Sequence, residues 1–172
     1  NNPRNLKIGV NVAVTASYER ASSHNYPSLF EQNSYADVPG YSAYTFHAQM
    51  EMEAYIFASS NVWCRSSGTD PKAGFWAVEG EAGQISYFPD GDQVRGEKGW
   101  REACNWLLAA NGARMMMCWK FGGRVTDTQT DQFNLFGFNG SVTERAERMS
   151  KCGVSYLNLK DAISDSCVHA KA

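Results

Sequence analysis

Two acidic residues and a histidine alternate with apolar residues in one short stretch of the chain. Glu51 and Glu53 are two positions apart, and His47 precedes them at an even spacing. In an extended strand such residues share one face, with neighbours about 6.6 Å apart. Two carboxylates roughly 5 to 5.5 Å apart can act as nucleophile and general acid in a retaining glycoside hydrolase. One hypothesis is therefore a carbohydrate-active hydrolase with His47, Glu51 and Glu53 as catalytic residues.

The structural alternative for the same stretch is the water-facing side of a sheet. Antiparallel sheets commonly keep one face in solvent, and that face is polar. Tyr55 and Phe57 continue the polar positions, which indicates that part of this face is covered. A solvated face is the more common outcome, so the catalytic assignment is an alternative and not the main interpretation.

A second pair of carboxylates, Glu79 and Glu81, has the same spacing and follows Phe75 and Trp76. Aromatic rings provide flat apolar surfaces, which makes this combination suitable for a carbohydrate site. The glycines around the pair favour a hairpin turn, however. Exposed turn residues are the more common interpretation of this pair.

A long aperiodic segment, residues 20–40, contains several turn-forming residues together with three aromatic ones. Long loops of this kind often carry binding function. We predict that Tyr26, Phe30 and Tyr35, with Trp63 from a second polar loop, form a surface for a protein or carbohydrate partner. A packed surface loop is the structural alternative.

Several function classes lack their sequence signatures. The three histidines follow no metal-ligand spacing, and phosphate-binding or dinucleotide-binding glycine motifs are absent, so we predict neither a metal nor a cofactor. The 16 basic residues are scattered and the net charge is −2, which argues against a nucleic-acid partner. No apolar run approaches the roughly 18 residues that span a bilayer.

Five cysteines are many for a cytosolic chain of this size, and none is in a CxxC motif. We predict disulfides, with Cys152 and Cys167 as the favoured pair, whereas buried thiols are the alternative. The sequence begins at Asn1 without an initiator Met, which is consistent with removal of a signal peptide or with an excised piece. Together these features predict a secreted or periplasmic protein. Asn139 begins a glycosylation sequon, which would matter only in a eukaryotic secretory pathway.

Hydrophobic periodicity predicts the elements that would position these residues. Strict alternation predicts two long strands over 6–18 and 44–58. Helical spacing predicts a helix over 98–110, and a capping box from Ser141 to Glu144 predicts a second helix over 142–151. Shorter segments complete the prediction: strands at 75–78, 84–88, 114–125 and 132–138, and a polar loop at 59–74.

The expected fold is a single α+β domain over residues 1–172. Its sheet would be curved and mainly antiparallel, or a partial barrel, with the helix at 98–110 on its apolar face. The main functional hypothesis is a secreted binding module of the adhesin, effector or toxin-like kind, and not an enzyme. The carbohydrate-active hydrolase is the first alternative, and an oligomeric structural subunit is the second.

Overall fold

The structure, a computed structural model, describes residues 5–11, 29–44, 54–70, 72–80, 82–83, 99–123, 125–126 and 134–165. These ranges contain five helices and three strands. In chain order they are α1 (Leu29–Asn33), β1 (Gly40–Ser42), α2 (Ala54–Ser66), β2 (Phe75–Glu79), α3 (Trp100–Ala110), β3 (Ala113–Met116), α4 (Glu144–Asn158) and α5 (Lys160–Asp165).

The three strands form a parallel sheet in the order β1-β2-β3. Each strand is followed by a helix, α2, α3 and α4 respectively. Parallel neighbours need a crossover connection, and α2 and α3 provide one for each step. The described chain therefore contains three consecutive βα units, which is the repeat from which parallel barrels are built.

A fourth segment, residues 5–11, runs beside β1 in the same direction. Gly9 bridges Val38 in parallel, and the backbone N–H groups of Asp37 and Val38 both donate to the carbonyl of Ile8. Four neighbouring segments thus present their carboxyl ends at one edge of the sheet.

The predicted antiparallel sheet is therefore wrong, and so are its two long strands in the described ranges. Of residues 6–18, the described part contributes a single bridge, whereas residues 54–58 of the second prediction belong to α2. The physical reason is visible in α2. Phe57, Asn61 and Cys64 are all buried, and their spacing is that of one helical face. Alternation over a few residues did not distinguish the two periods.

Other short predictions also change. Both edges of β2 are occupied by β1 and β3, so β2 does not form the predicted hairpin. The strand predicted over 114–125 is the four-residue β3, and Phe136 of the strand predicted over 132–138 makes only an isolated bridge. The segments predicted to be loops, residues 20–40 and 59–74, contain α1 and most of α2.

The two predicted helices are present with different bounds. α3 begins at Trp100, two residues later than predicted, ends at Ala110 as predicted, and buries Cys104 and Leu108. α4 starts later than predicted because Thr143 caps it, accepting a hydrogen bond from the Ala146 N–H at 3.2 Å. It also continues through Gly153 to Asn158. Among the described residues, no helix is long and apolar enough to cross a membrane.

The hydrophobic core lies between one face of the sheet and helices α2 and α3. Its buried members come from the three strands, from α2 and α3, and from the turns beside them. They are Tyr41, Ala43, Phe57, Cys64, Phe75, Ala77, Cys104, Leu108 and Ala113. Side chains at the alternate strand positions, among them Ser42 and Trp76, occupy the second face of the sheet. There the Trp76 ring packs so closely on Gly9 that a Cβ at Gly9 would lie 2.2 Å from it.

The cysteines do not form the predicted disulfide. Cys64, Cys104, Cys118 and Cys152 are all outside disulfide bonds, so the Cys152–Cys167 bridge is wrong. Three of these four are buried, and they serve as small apolar side chains. Burial raises the pKa of the Cys64 thiol from its ordinary 9.0 to about 12.

Substitution of two glycines by alanine should have opposite effects on stability. Gly153→Ala should stabilise the protein by up to about 1 kcal/mol, because the position is helical and a Cβ meets nothing within 4 Å. Gly9→Ala should destabilise it by about 1–3 kcal/mol, because the Cβ meets the Trp76 ring. Urea unfolding measures both. A neutral or destabilising Gly153→Ala would contradict the continuous helix α4.

The Cys64 thiol should make stability depend on pH above about 9. The folded pKa is raised, so its contribution is complete below pH 9 and is lost as the pH rises towards 12. Between pH 8 and 10.5 the free energy of unfolding should fall by about 2 kcal/mol more in the wild type than in Cys64→Ala. Urea titrations at the two pH values measure this difference. Equal slopes in both proteins would show that Cys64 is solvated.

Candidate functional site

The carboxylate of Glu79 stands at the carboxyl end of the central strand β2. In parallel α/β sheets the side chains that bind and react with substrates lie at this edge. The arrangement follows from chain direction, because each strand delivers its last side chain, and the loop after it, to the same edge. Glu79 is half-buried there.

The direction of the Glu79 side chain depends on an irregularity in strand pairing. Tyr41 is paired with Ala77 but Ser42 with Glu79, so β2 contains one extra residue, Val78. In a regular strand Glu79 would share a face with Ala77 and would point into the core. The extra residue turns Glu79 to the second face, where Ser42 lies. Bulges are known to redirect side chains beside active sites in this way.

Both oxygens of the Glu79 carboxylate accept hydrogen bonds from neutral donors. Asn11 Nδ2 donates to Oε1 at 3.0 Å, and the Tyr44 hydroxyl donates to Oε2 at 3.0 Å. The Ser42 hydroxyl in turn donates to Asn11 Oδ1 at 2.9 Å. We refer to Asn11, Ser42, Tyr44 and Glu79 as the Glu79 cluster. An ionised carboxylate only accepts hydrogen bonds, so this set of donors suits that form.

An exposed tryptophan flanks the cluster on the side of β3. Backbone pairing between the two chain segments continues past the strand ends, since Met117 N–H donates to Ala77 at 2.9 Å and Trp119 N–H to Gly80 at 2.8 Å. The Trp119 side chain is 37% exposed. The Trp119 backbone is thus held beside the residue that follows Glu79. Within the described ranges, no group of three His, Cys, Asp or Glu side chains could hold a metal ion.

The site residues predicted from the sequence are placed elsewhere or lie outside the described ranges. His47, Glu51, Glu53 and Tyr26 belong to the latter group, and their roles stay predictions.

The other three predicted binding residues, Phe30, Tyr35 and Trp63, are exposed. Phe30 and Tyr35 precede β1, and Trp63 is near the end of α2, where Asn33 Nδ2 donates to Ser67 Oγ at 2.7 Å. The start of β1 and the end of α2 both lie at the amino-terminal edge of the sheet. The structure therefore does not bring these three residues to Glu79.

A cavity of about 500 Å³ lies on the core side of the sheet and is separate from the Glu79 carboxylate. Residues of β3, α3, α4 and α5 line it, including Cys104, Met116 and Met149. Its lining contains no carboxylate, and burial raises the pKa of Tyr156, which also lines it. The cavity is therefore poorly equipped for acid–base chemistry, and the candidate site is the Glu79 cluster.

Sequence analysis found one member of this cluster and missed three. Glu79 was recognised beside Glu81 but was assigned to a hairpin turn. Asn11, Ser42 and Tyr44 were not singled out. The available signal was a short apolar run that ends in a polar residue, since buried parallel strands have continuous apolar sequences. Residues 75–79 have this form, with Phe, Trp, Ala and Val before Glu79.

The fold matches part of several solved β-galactosidase structures. The enzyme from Bacillus circulans sp. alkalophilus superposes with a TM-score of 0.77 at 16% identity, over 98% of this chain and 23% of that one. A catalytic mutant of a GH42 β-galactosidase from G. stearothermophilus gives 0.72 at 12%, over 97% and 24%. The polyextremophilic β-galactosidase from the haloarchaeon Halorubrum lacusprofundi gives 0.59 at 18%, over 86% and 23%.

No protein-family model matches the sequence, and neither does any curated protein. The chain spans about a quarter of the length of the β-galactosidases that it resembles. At identities this low the likeness establishes the fold alone. The parallel βα units of this chain have the fold of a section of the barrel of GH42 β-galactosidases.

Proposed function

We propose that this chain forms part of a retaining glycoside hydrolase acting on β-galactosides, with Glu79 as the catalytic nucleophile. The observation that carries the proposal is the position of Glu79. It ends the central parallel strand, a bulge turns it away from the core, and two neutral groups donate to its carboxylate. The fold shared with β-galactosidases supports the substrate class.

The hydrogen-bond donors favour the role of nucleophile over that of general acid. A general acid must carry a proton on the carboxyl group, whereas both Glu79 oxygens accept hydrogen bonds. In the first step a Glu79 oxygen forms an ester bond to the anomeric carbon as the glycosidic bond breaks. The leaving oxygen takes a proton from a second carboxylic acid, and water later hydrolyses the ester.

The second carboxylic acid lies outside the described Glu79 cluster. In this sequence Glu51, Glu53 and Glu81 are candidates, and they are outside the described ranges. The portion of the β-galactosidases that this chain does not span is another source. Glu79 is therefore one of the two catalytic carboxylates, and Glu51, Glu53 and Glu81 are candidates for the other within this sequence.

Trp119 would provide an apolar surface for the sugar ring. It is exposed, and its backbone is hydrogen-bonded to Gly80, next to Glu79. A flat indole can pack against the C–H face of a pyranose while the Glu79 cluster binds polar groups.

The hypothesis of a binding module loses its main support. It depended on an aromatic loop surface, but Phe30, Tyr35 and Trp63 lie at the edge of the sheet opposite Glu79. It also depended on disulfides, which Cys64, Cys104, Cys118 and Cys152 do not form. Secretion or periplasmic location stays a prediction.

Glu79→Gln should abolish hydrolysis of an aryl β-galactoside, with kcat lowered roughly 10³- to 10⁵-fold, because the amide cannot form the glycosyl ester. Azide should restore turnover to Glu79→Ala by replacing the missing nucleophile. The matched control is Glu147→Gln, an exposed carboxylate on α4, which should keep full activity. Activity retained by Glu79→Gln would refute the assignment. A wild type that is inactive on every aryl glycoside, when assayed in the complete protein to which this chain belongs, would refute the hydrolase proposal.

Trp119→Ala should raise KM for the same substrate by roughly 10-fold, because an aromatic stacking surface is worth about 1 kcal/mol or more. Trp63→Ala should leave KM unchanged, since this tryptophan, which is exposed to a similar extent, lies near the end of α2. Steady-state kinetics on both variants makes the comparison. Equal effects on KM would remove Trp119 from the substrate site.

A further inference from the structure

We infer that Asn11 and Ser42 are positioning residues that hold the Glu79 carboxylate in its reactive orientation. The inference rests on the proposed function, because it assigns a task to the neighbours of the proposed nucleophile. Neither residue has to contact the substrate to perform it.

The three side chains form a directed chain of hydrogen bonds. Glu79, as a carboxylate, can only accept, so Asn11 presents its amide nitrogen to Oε1. The Asn11 oxygen then faces away from Glu79 and accepts from the Ser42 hydroxyl. Ser42 is buried, with 8% of its surface exposed, whereas Asn11 is exposed. Both ends of the Asn11 amide are therefore held.

The chain of hydrogen bonds joins three neighbouring segments at the carboxyl edge. Asn11 is the last described residue of the segment 5–11, Ser42 ends β1 and Glu79 ends β2. Ser42 is also the strand-pairing partner of Glu79. The position of Asn11 relative to Glu79 is thus set twice, by side-chain hydrogen bonds and by the backbone pairing beneath them. Such double support is what keeps a reactive group within a narrow range of geometry.

The consequence concerns rate more than binding. A nucleophilic oxygen reacts well only when it is aligned with the anomeric carbon at contact distance. Tyr44 holds Oε2, and Asn11 fixes the other oxygen and hence the rotation of the carboxylate plane. Without Asn11, Tyr44 is the donor that remains to the carboxylate among the described residues, and the carboxylate can rotate about that hydrogen bond. Formation of the glycosyl ester should slow, whereas substrate affinity should change little.

A mechanism-based inactivator isolates this step. With 2-deoxy-2-fluoro-β-galactosyl fluoride, a Glu79 oxygen forms the ester bond to the anomeric carbon and fluoride ion leaves. Asn11→Ala should lower the rate constant of inactivation roughly 10- to 100-fold, with the binding constant changed only a few-fold. Ser42→Ala should lower it roughly 3- to 10-fold, and Ser42→Thr, which keeps the hydroxyl, should restore it.

The double variant tests whether Ser42 acts through Asn11. In the Asn11→Ala background, Ser42→Ala should have no further effect, because its partner is already missing. Asn158→Ala and Ser150→Ala, at exposed positions of α4, are the matched controls and should react at the wild-type rate. Thermal melting of every variant separates loss of positioning from loss of the fold. Additive effects of the two substitutions would overturn the relay through Asn11.

Mass spectrometry of the inactivated wild type distinguishes failure of the proposed function from failure of the positioning role. Absence of label on the peptide containing Glu79, in the complete wild-type protein to which this chain belongs, would refute the proposed function. A wild type labelled at Glu79, together with Asn11 and Ser42 variants that react equally fast, would overturn the positioning role alone. Variants that melt earlier but react at the wild-type rate would also overturn it, since the two residues would then be merely structural.

Discussion

Parallel pairing of β2 with both of its neighbours is the constraint on which the rest of the structure depends. It requires a crossover after each strand, which α2 and α3 provide. It also places the carboxyl ends of four adjacent segments at one edge. Asn11, Ser42 and Glu79, which are 31 and 37 residues apart along the chain, can hydrogen-bond or pair only because of this arrangement.

The extra residue in the pairing of β2 with β1 allows one strand to contribute both to the core and to the candidate site. Phe75 and Ala77 belong to the core, and regular alternation would place Glu79 beside them, where an ionised carboxylate is costly to bury. The extra residue Val78 avoids this cost by moving Glu79 to the second face. The same strand therefore packs against the helices along most of its length and presents a reactive group at its end.

Some of the fold could be predicted because it depends on neighbours in sequence. The helix over 98–110 was predicted from its periodicity, and the structure ends α3 at Ala110. Residues 54–58 show where this approach fails. Ala54, Ile56 and Ala58 extend the alternating pattern, but Tyr55 and Phe57 place apolar residues on its polar face. Packing of Phe57, Asn61 and Cys64 in the core decides for the helix.

The sequence by itself determined that this chain contains both helices and strands and lacks a nucleic-acid-binding charge pattern, and that Glu79 is a carboxylate beside aromatic residues. Only the tertiary structure decided that the sheet is parallel, that the cysteines are thiols in the described ranges, and that Glu79 receives hydrogen bonds from Asn11 and Tyr44. The physical reason is the distance along the chain over which the interactions act. Periodicity and caps report interactions over a few residues, whereas strand direction, register and the partners of a carboxylate depend on residues more than 30 positions away.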